Sequence, residues 1–255
     1  MSAEREGASE DAILGGKLVV RQPRRGHRVG HDAILLAAAT PARAGDRAVD
    51  LGAGVGAAGL ALARRVEGVA VTLVEIEETL AALAVGNVAR NGLGDRVRVV
   101  CLDVAAPPKA FAAQGLAAGK ADCVLMNPPF NAAGNPSPDR GRRQAHVAAQ
   151  YTLSRWLSAA ARLLRPQGVA TLIWRADGLD AVLAALAQGF GAITLLPVYP
   201  KPGQPAIRVL ARAVKASRAP LTLLGGLVLA DAAGRPTAEA EAVLRGNAAL
   251  ALASE

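Results

Sequence analysis

Read for the spacing of apolar and polar positions, the middle of the chain alternates between short, largely apolar runs and longer stretches with one apolar face. Residues 47–51, 69–74, 97–102 and 122–126 are such runs, rich in valine and leucine, as strands buried on both faces of a parallel sheet are. The intervening residues 57–66, 77–90 and 107–119 predict helices, the second closed by Asn91-Gly92 and the third opened by Pro107-Pro108. Strand and helix in alternation predict an α/β doubly wound fold. Downstream, residues 147–164 form an amphipathic helix pattern, 168–174 a fifth strand and 179–187 a further helix. Two more strands, 192–198 and 207–213, are separated only by a proline-rich loop, so the sheet should end in an antiparallel pair.

The ends of the chain read less regularly. Residues 14–22 predict a strand that the basic turn Gln22-Pro23-Arg24-Arg25-Gly26 breaks. A helix should start near Gly30-His31-Asp32, with His31 or Asp32 accepting N–H bonds as its cap. Residues 131–143 lack periodicity and should form a mobile loop over the site. Residues 221–224 and 227–231 suggest a small added hairpin, and 237–245 a short helix. We divide the chain into an N-terminal extension over the site (1–45), a core (46–215), and a C-terminal hairpin and helix of the same domain (216–255).

The stretch Val49-Asp50-Leu51-Gly52-Ala53-Gly54-Val55-Gly56-Ala57 carries the first chemical signal. An apolar strand that runs into Gly52, Gly54 and Gly56 and then a small-residue helix lets the backbone approach a nucleotide closely, with helix N–H groups aimed at it. Glu75 closes the second strand, where a doubly wound fold places the acid that grips ribose hydroxyls, and Asp103 closes the third, beside an adenine. Two ligands compete. A dinucleotide such as NAD would suit Gly52-x-Gly54-x-x-Ala57 with Glu75, but no hydride-transfer site follows in the chain. Asp50, ahead of the turn, favours a ligand with a positively charged amino-acid end over one with a pyrophosphate.

Composition adds little except through charge. The formal net charge is +8 over 255 residues, with arginines concentrated at Arg24, Arg25 and Arg28 and again at Arg140, Arg142 and Arg143. Such clusters fit an RNA partner, although a solvated surface would look the same. Cys101 and Cys123 lie within apolar runs and read as reduced, buried thiols of a cytoplasmic protein, so no metal is expected. The acidic first residues lack the apolar core of a secretory signal, and the uncharged run 181–200 is split by glycine and proline, so no membrane span is expected.

From residue 47 to 213 these features together resemble the class I S-adenosylmethionine-dependent methyltransferases. That resemblance implies a Rossmann-like, seven-stranded, mostly parallel sheet with an antiparallel last strand, and S-adenosyl-L-methionine as the cofactor of Asp50, Gly52, Gly54, Gly56, Glu75 and Asp103. Asn127-Pro128-Pro129-Phe130, directly after the fourth strand, resembles the motif with which that superfamily methylates planar nitrogens. In that reading the Asn127 oxygen and the Pro128 carbonyl accept the amine hydrogens, Phe130 stacks on the base, and Asn127 also borders the cofactor. The segment Gln22 to Leu36, with Gly30-His31-Asp32-Ala33-Ile34-Leu35-Leu36, is similar to the N-terminal region of the tRNA1(Val) adenine-N6 methyltransferase family. There the aspartate, here Asp32, contributes to the methionine end of the cofactor pocket; His31 stands where the family usually has threonine. The resemblance implies an enzyme that methylates adenine N6 in tRNA. An rRNA guanine-N2 methyltransferase, a protein glutamine-N5 methyltransferase and a non-catalytic RNA-binding module of the same fold stand as alternatives.

Overall fold

The computed structural model describes residues 7–25, 28–129 and 138–253, the last segment with side chains from residue 151 onward. The elements in order are β1 (Ala8–Ile13), β2 (Leu18–Pro23), α1 (His31–Ala39), β3 (Arg47–Leu51), α2 (Ala57–Arg65), β4 (Ala70–Glu75), α3 (Glu78–Arg90), β5 (Val97–Cys101) and α4 (Pro108–Ala113). There follow β6 (Ala121–Met126), α5 (Pro138–Leu163), β7 (Leu164–Arg175), α6 (Leu179–Leu186), β8 (Phe190–Tyr199), β9 (Arg208–Lys215), β10 (Thr222–Leu223), β11 (Leu227–Val228) and α7 (Ala238–Leu244). The principal sheet has the order β10-β8-β9-β7-β6-β3-β4-β5, with β11 also on β8. Strand β9 runs antiparallel to both β7 and β8, and the remaining neighbours are parallel. The expected antiparallel pair is therefore present, in a sheet of nine strands where the resemblance implies seven.

Helices cover both faces. Leu35 and Leu36 of α1, Leu60 and Leu62 of α2 and Val88 of α3 pack on one face. Phe111 of α4, Leu153 and Leu157 of α5 and Val182 of α6 pack on the other. The chain leaves β3 for β4 and β5 on one side, then returns to place β6 on the other side of β3. That reversal opens a crevice at the carboxyl ends of β3 and β6, where open α/β sheets hold their ligands.

Several sequence expectations need correction. Leu14–Gly16 is a 3-10 turn, so β2 begins only at Leu18, and it pairs antiparallel with an additional strand, β1, in a separate two-stranded sheet. The C-terminal segments do not pair with each other. Thr222–Leu223 and Leu227–Val228 each extend β8 in parallel, at Thr194–Leu195 and Val198–Tyr199, because the short turn between them carries the chain along β8 instead of back on itself. Helix α5 begins at Pro138, inside the expected loop. Proline suits a first helical turn, where its missing N–H has no partner to lose, and the polar run after it hides the helix from an apolar-periodicity reading. Gly30, not His31 or Asp32, caps α1, and no side chain bonds the helix start. Both cysteines are free thiols, and Cys123 is buried as expected, but Cys101 is exposed because it ends the edge strand β5.

The β1–β2 hairpin is fastened by side chains of α3. Asn87, fully buried, accepts from Arg21 N–H at 2.7 Å and donates to Arg21 C=O and Val55 C=O, both at 3.0 Å. One turn on, the Asn91 amide accepts from Val19 N–H at 3.0 Å and donates to Val19 C=O at 2.8 Å. Two side-chain amides thus act as a neighbouring strand for β2, and Asn87 also ties that edge to the glycine turn. Replacing Asn87 by alanine removes the partner of three buried or part-buried backbone groups, so chemical denaturation should show a loss of about 2 to 4 kcal/mol, while Arg90→Ala, which removes the ion pair to Glu10 and one 3.2 Å bond to the Asn87 oxygen, should cost about 1 or less.

Candidate active site

Strand register brings the predicted residues to one line. Leu51 pairs with Val74 and with Met126, and Glu75 pairs with Cys101, so Gly52, Glu75, Asp103 and Asn127 all emerge at the carboxyl edge of the sheet. Gly52, Gly54 and Gly56 have φ of 67°, 57° and 90°, a left-handed backbone that a side chain would strain. A Cβ on Gly54 would face open space, so this half-buried residue is the open lip of the turn. A Cβ on Gly52 would overlap Cη2 of Trp156, so the indole tip from α5 lies directly against the turn. In the sequence Trp156 carries no signal of this role, since it looks like one more apolar residue on a helix with Leu153 and Leu157.

The carboxylates divide into those that build the turn and those that face it. Asp50 is 2% exposed, and its Oδ2 accepts from the N–H of Gly59 in α2 at 2.8 Å. Burial, with Glu75 adding like charge, pushes its carboxyl up to about 7 against the Gly59 hydrogen bond. Asp50 thus buckles helix to strand beneath the turn and does not open towards a ligand as expected. Glu75, 6% exposed, accepts from Gly54 N–H at 2.7 Å through Oε2 and from Glu77 N–H at 2.9 Å through Oε1, which sets its carboxylate against the lip of the turn. Asp103 Oδ1 accepts from Ala105 N–H at 2.8 Å, a local bond that orients its side chain after β5. Asp32, on the first turn of α1, pairs with Arg208 of β9 at 2.9 Å, so its charge is met from within the chain.

Asn127 follows β6 directly, and its Oδ1 is buried with no hydrogen-bond partner among the described residues. A buried amide oxygen left without a donor costs about 1 to 3 kcal/mol, and this one lies at the crevice of the sheet. Pro128 is buried beside it and Pro129 exposed. Phe130 lies outside the described residues, as do the side chains of Arg140, Arg142 and Arg143. Arg24, Arg25 and Arg28 are exposed on the hairpin side, with Arg28 paired to Asp11 at 2.9 Å and Arg24 donating to Ala8 C=O at 3.3 Å. A separate cavity of about 680 Å³ opens at the opposite, amino-terminal end of the sheet among Arg47, Thr72, Arg98 and Lys120, and none of the predicted site residues lines it. No helix among the described residues is long and apolar enough to cross a membrane.

A Rossmann-like sheet with a glycine turn, acids at the ends of β4 and β5, and a crevice between β3 and β6 is the fold of the methyltransferases. A solved structure of a predicted O-methyltransferase from Agrobacterium tumefaciens superposes with a TM-score of 0.74 at 30% identity, over 86% of this chain and 98% of its own. TrmN from Thermus thermophilus shares the fold at 21% identity with a TM-score of 0.54 over 72% of this chain and 47% of its own. The chain belongs to the methyltransferase small domain family, whose model matches residues 27–197. Among named relatives, a tRNA1(Val) (adenine(37)-N6)-methyltransferase of Bacteroides fragilis is 32% identical over 184 residues, 72% of this chain and 75% of that protein. One of the same name from Tolumonas auensis is 29% identical over 171 residues, 67% of this chain and 68% of that protein.

The protein is thus a methyltransferase, and S-adenosylmethionine is the cofactor its class implies. The site fits that molecule. The open lip at Gly54 leaves space at the turn, and the carboxylate of Glu75 set against it suits hydroxyl and cationic groups better than a diphosphate.

Asp50 gives a direct test of the turn. Because its carboxyl is raised to about 7 in the folded chain, folding is opposed once the group must ionise. Stability from this residue should be greatest below about pH 4 and fall by up to about 1.4 kcal/mol per pH unit as pH rises towards 7. Asp50→Asn, which keeps an oxygen for Gly59 N–H but cannot titrate, should flatten the curve of unfolding free energy against pH in that window; an unaltered slope would place the titrating group elsewhere.

Proposed function

We propose that this protein uses S-adenosylmethionine to methylate the exocyclic N6 of an adenine in tRNA, in the cytoplasm. The observation that carries the reading is the buried, partnerless Oδ1 of Asn127, among the described residues, at the crevice between β3 and β6. Named relatives that act on tRNA1(Val) at about 30% identity support the substrate class.

S-adenosylmethionine supplies an electrophilic methyl group on a sulfonium. Gly52, Gly54 and Gly56 shape the backbone that would cradle it, Glu75 would accept from ribose hydroxyls and Asp103 would lie beside the adenine. Asp32 would contribute at the methionine end, where its pairing with Arg208 means that it would act through that ion pair or exchange out of it. The acceptor amine is a poor nucleophile because its lone pair is delocalised into the ring. Asn127 Oδ1, with the Pro128 carbonyl, would accept its N–H groups and favour a pyramidal nitrogen whose lone pair is free to attack. Phe130 would stack on the base. An oxygen acceptor of the kind named for the Agrobacterium structure offers a single hydrogen, whereas a neutral amide oxygen beside a second carbonyl suits an amine with two. Guanine N2 and a protein amide share that geometry, and the product separates them.

Comparison of modified nucleosides by mass spectrometry, in tRNA and rRNA from cells with and without the gene, should show loss of N6-methyladenosine from the tRNA alone. Asn127→Ala should leave cofactor affinity near wild type in calorimetry and lower methyl transfer by about 100-fold or more. Transfer at the wild-type rate would make Asn127 a structural residue.

We also infer that RNA binds along Arg24, Arg25 and Arg28, and along Arg140, Arg142 and Arg143. Neutralising each cluster in turn should lower the slope of log affinity for tRNA against log salt by about 0.7 to 0.9 for every phosphate that is no longer neutralised. Arg25, exposed on the hairpin, should contribute more than Arg28, which Asp11 already holds.

A further inference from the structure

Helix α5 carries a second surface beside the cofactor crevice. Tyr151, Ser154, Arg155, Ser158 and Arg162 recur at helical spacing along one stripe, and together with Ala105 they line a groove of about 260 Å³. That is below the roughly 300 to 1,000 Å³ of sites that enclose a small molecule, and suits one flat ring with its backbone lying outside. Tyr151 is 62% exposed, an unusual place for a large aromatic, and the Arg155 guanidinium lies 5.3 Å from its ring centroid. Arg162, lower on the stripe, is committed to the protein: it lies 5.1 Å from the Phe111 ring centroid and donates to Ala106 C=O at 3.4 Å. Arg155 has no hydrogen bond or ion pair among the described residues, and no carboxylate is among the groove's lining residues. The groove shares a turn with the site, since Ala105 N–H is the donor to Asp103. Higher on the same helix, Arg140, Arg142 and Arg143 add positive charge to its sequence.

We propose that the Tyr151–Arg155 pair is a stacking shelf for an unpaired nucleotide of the RNA substrate that flanks the target base. One base lies on the tyrosine ring, Arg155 meets an adjacent phosphate, and the Ser154 and Ser158 hydroxyls reach ribose or phosphate oxygens. An exposed aromatic, a cation beside it and two hydroxyls without an acid are what single-stranded RNA needs: a surface for the base and donors for the backbone. This inference rests on the reading of RNA as the substrate.

The test is methyl transfer to tRNA from cells lacking the gene, using the full chain. Tyr151→Ala should raise KM for tRNA about 10-fold or more, as removal of one stacked base does, with kcat and the affinity for S-adenosylmethionine unchanged. Tyr151→Phe keeps the ring and should restore the wild-type KM, which a loss of local folding in the alanine variant would not predict. Arg155→Ala should lower the salt slope of tRNA binding by about 0.7 to 0.9, and Tyr151→Ala should leave it as it is. If the wild-type chain methylates tRNA and both alanine variants keep its KM and slope, the shelf is refuted and the substrate reading stands. If the wild-type chain methylates no RNA, both fall together.

Discussion

The closeness of helix α2 to strands β3 and β4 is the constraint on which the site depends. A Cβ on Gly59 would overlap Cδ2 of Leu73 and stand 3.1 Å from Oδ2 of Asp50, so only a glycine lets the helix come this near. The same approach puts the Gly59 N–H within 2.8 Å of Asp50 and hides that carboxylate from water. A helix set further out would leave Asp50 hydrated and the turn at Gly52 to Gly56 without its support. Trp156 completes the constraint from the other face, since the indole tip occupies the space in which Gly52 has no side chain. The turn is therefore compressed between two helices, and its open side is at Gly54.

From this turn the coupling runs outward through buried polar groups. Glu75 fastens the lip at Gly54, and Asn87 fastens Val55 while also holding the β2 edge. The hairpin that carries Arg24 and Arg25 is thus joined to the nucleotide turn by one side chain, so displacing either disturbs the other. The far end of the chain closes the opposite side of the same layer: Leu250 N–H donates to Ala38 C=O of α1, and Lys17 donates to Gly246 C=O at 2.8 Å. Helix α1, which sets the position of Asp32, is held between these additions and the sheet.

What is legible in the sequence and what is hidden follow from the range of the forces involved. Strands β3, β4 and β6 stand out because burial on both faces demands largely apolar runs, β5 stands out by its valines although it is the edge strand, and the glycine turn stands out because it needs several glycines within a few residues. Strand β1 is hidden because Ala8–Ile13 mixes acidic and small residues; its strand character comes from pairing with β2 and from Glu10 reaching Arg90, not from its own composition. Asn87 reads as an ordinary polar helical residue, since its partner at Arg21 lies 66 positions away. The place of Asp50 before the turn points towards a ligand, whereas three-dimensional packing gives its oxygen to Gly59. The positions of Glu75, Asp103 and Asn127 are legible because each lies at or just beyond the end of a strand that the sheet aligns. The Arg208 partner of Asp32 belongs to a strand far along the chain, beyond the reach of any local pattern.

The field at this turn also explains why an amide, and not an acid, suits the end of β6. Asp50 shows what happens to a carboxyl buried here with Glu75 nearby: it is pushed up to about 7. A carboxylate in place of Asn127, with one oxygen buried at the adjacent strand end, would meet desolvation of the same kind, which favours the protonated form. Once protonated it would present a hydroxyl donor to the incoming group and lose part of its capacity to accept. Ionised instead, it would add negative charge near the carboxylate of Glu75 at the lip of the turn. The amide oxygen of Asn127 accepts at every pH and carries no charge, so in the proposed role its capacity to accept would not depend on the protonation of Asp50.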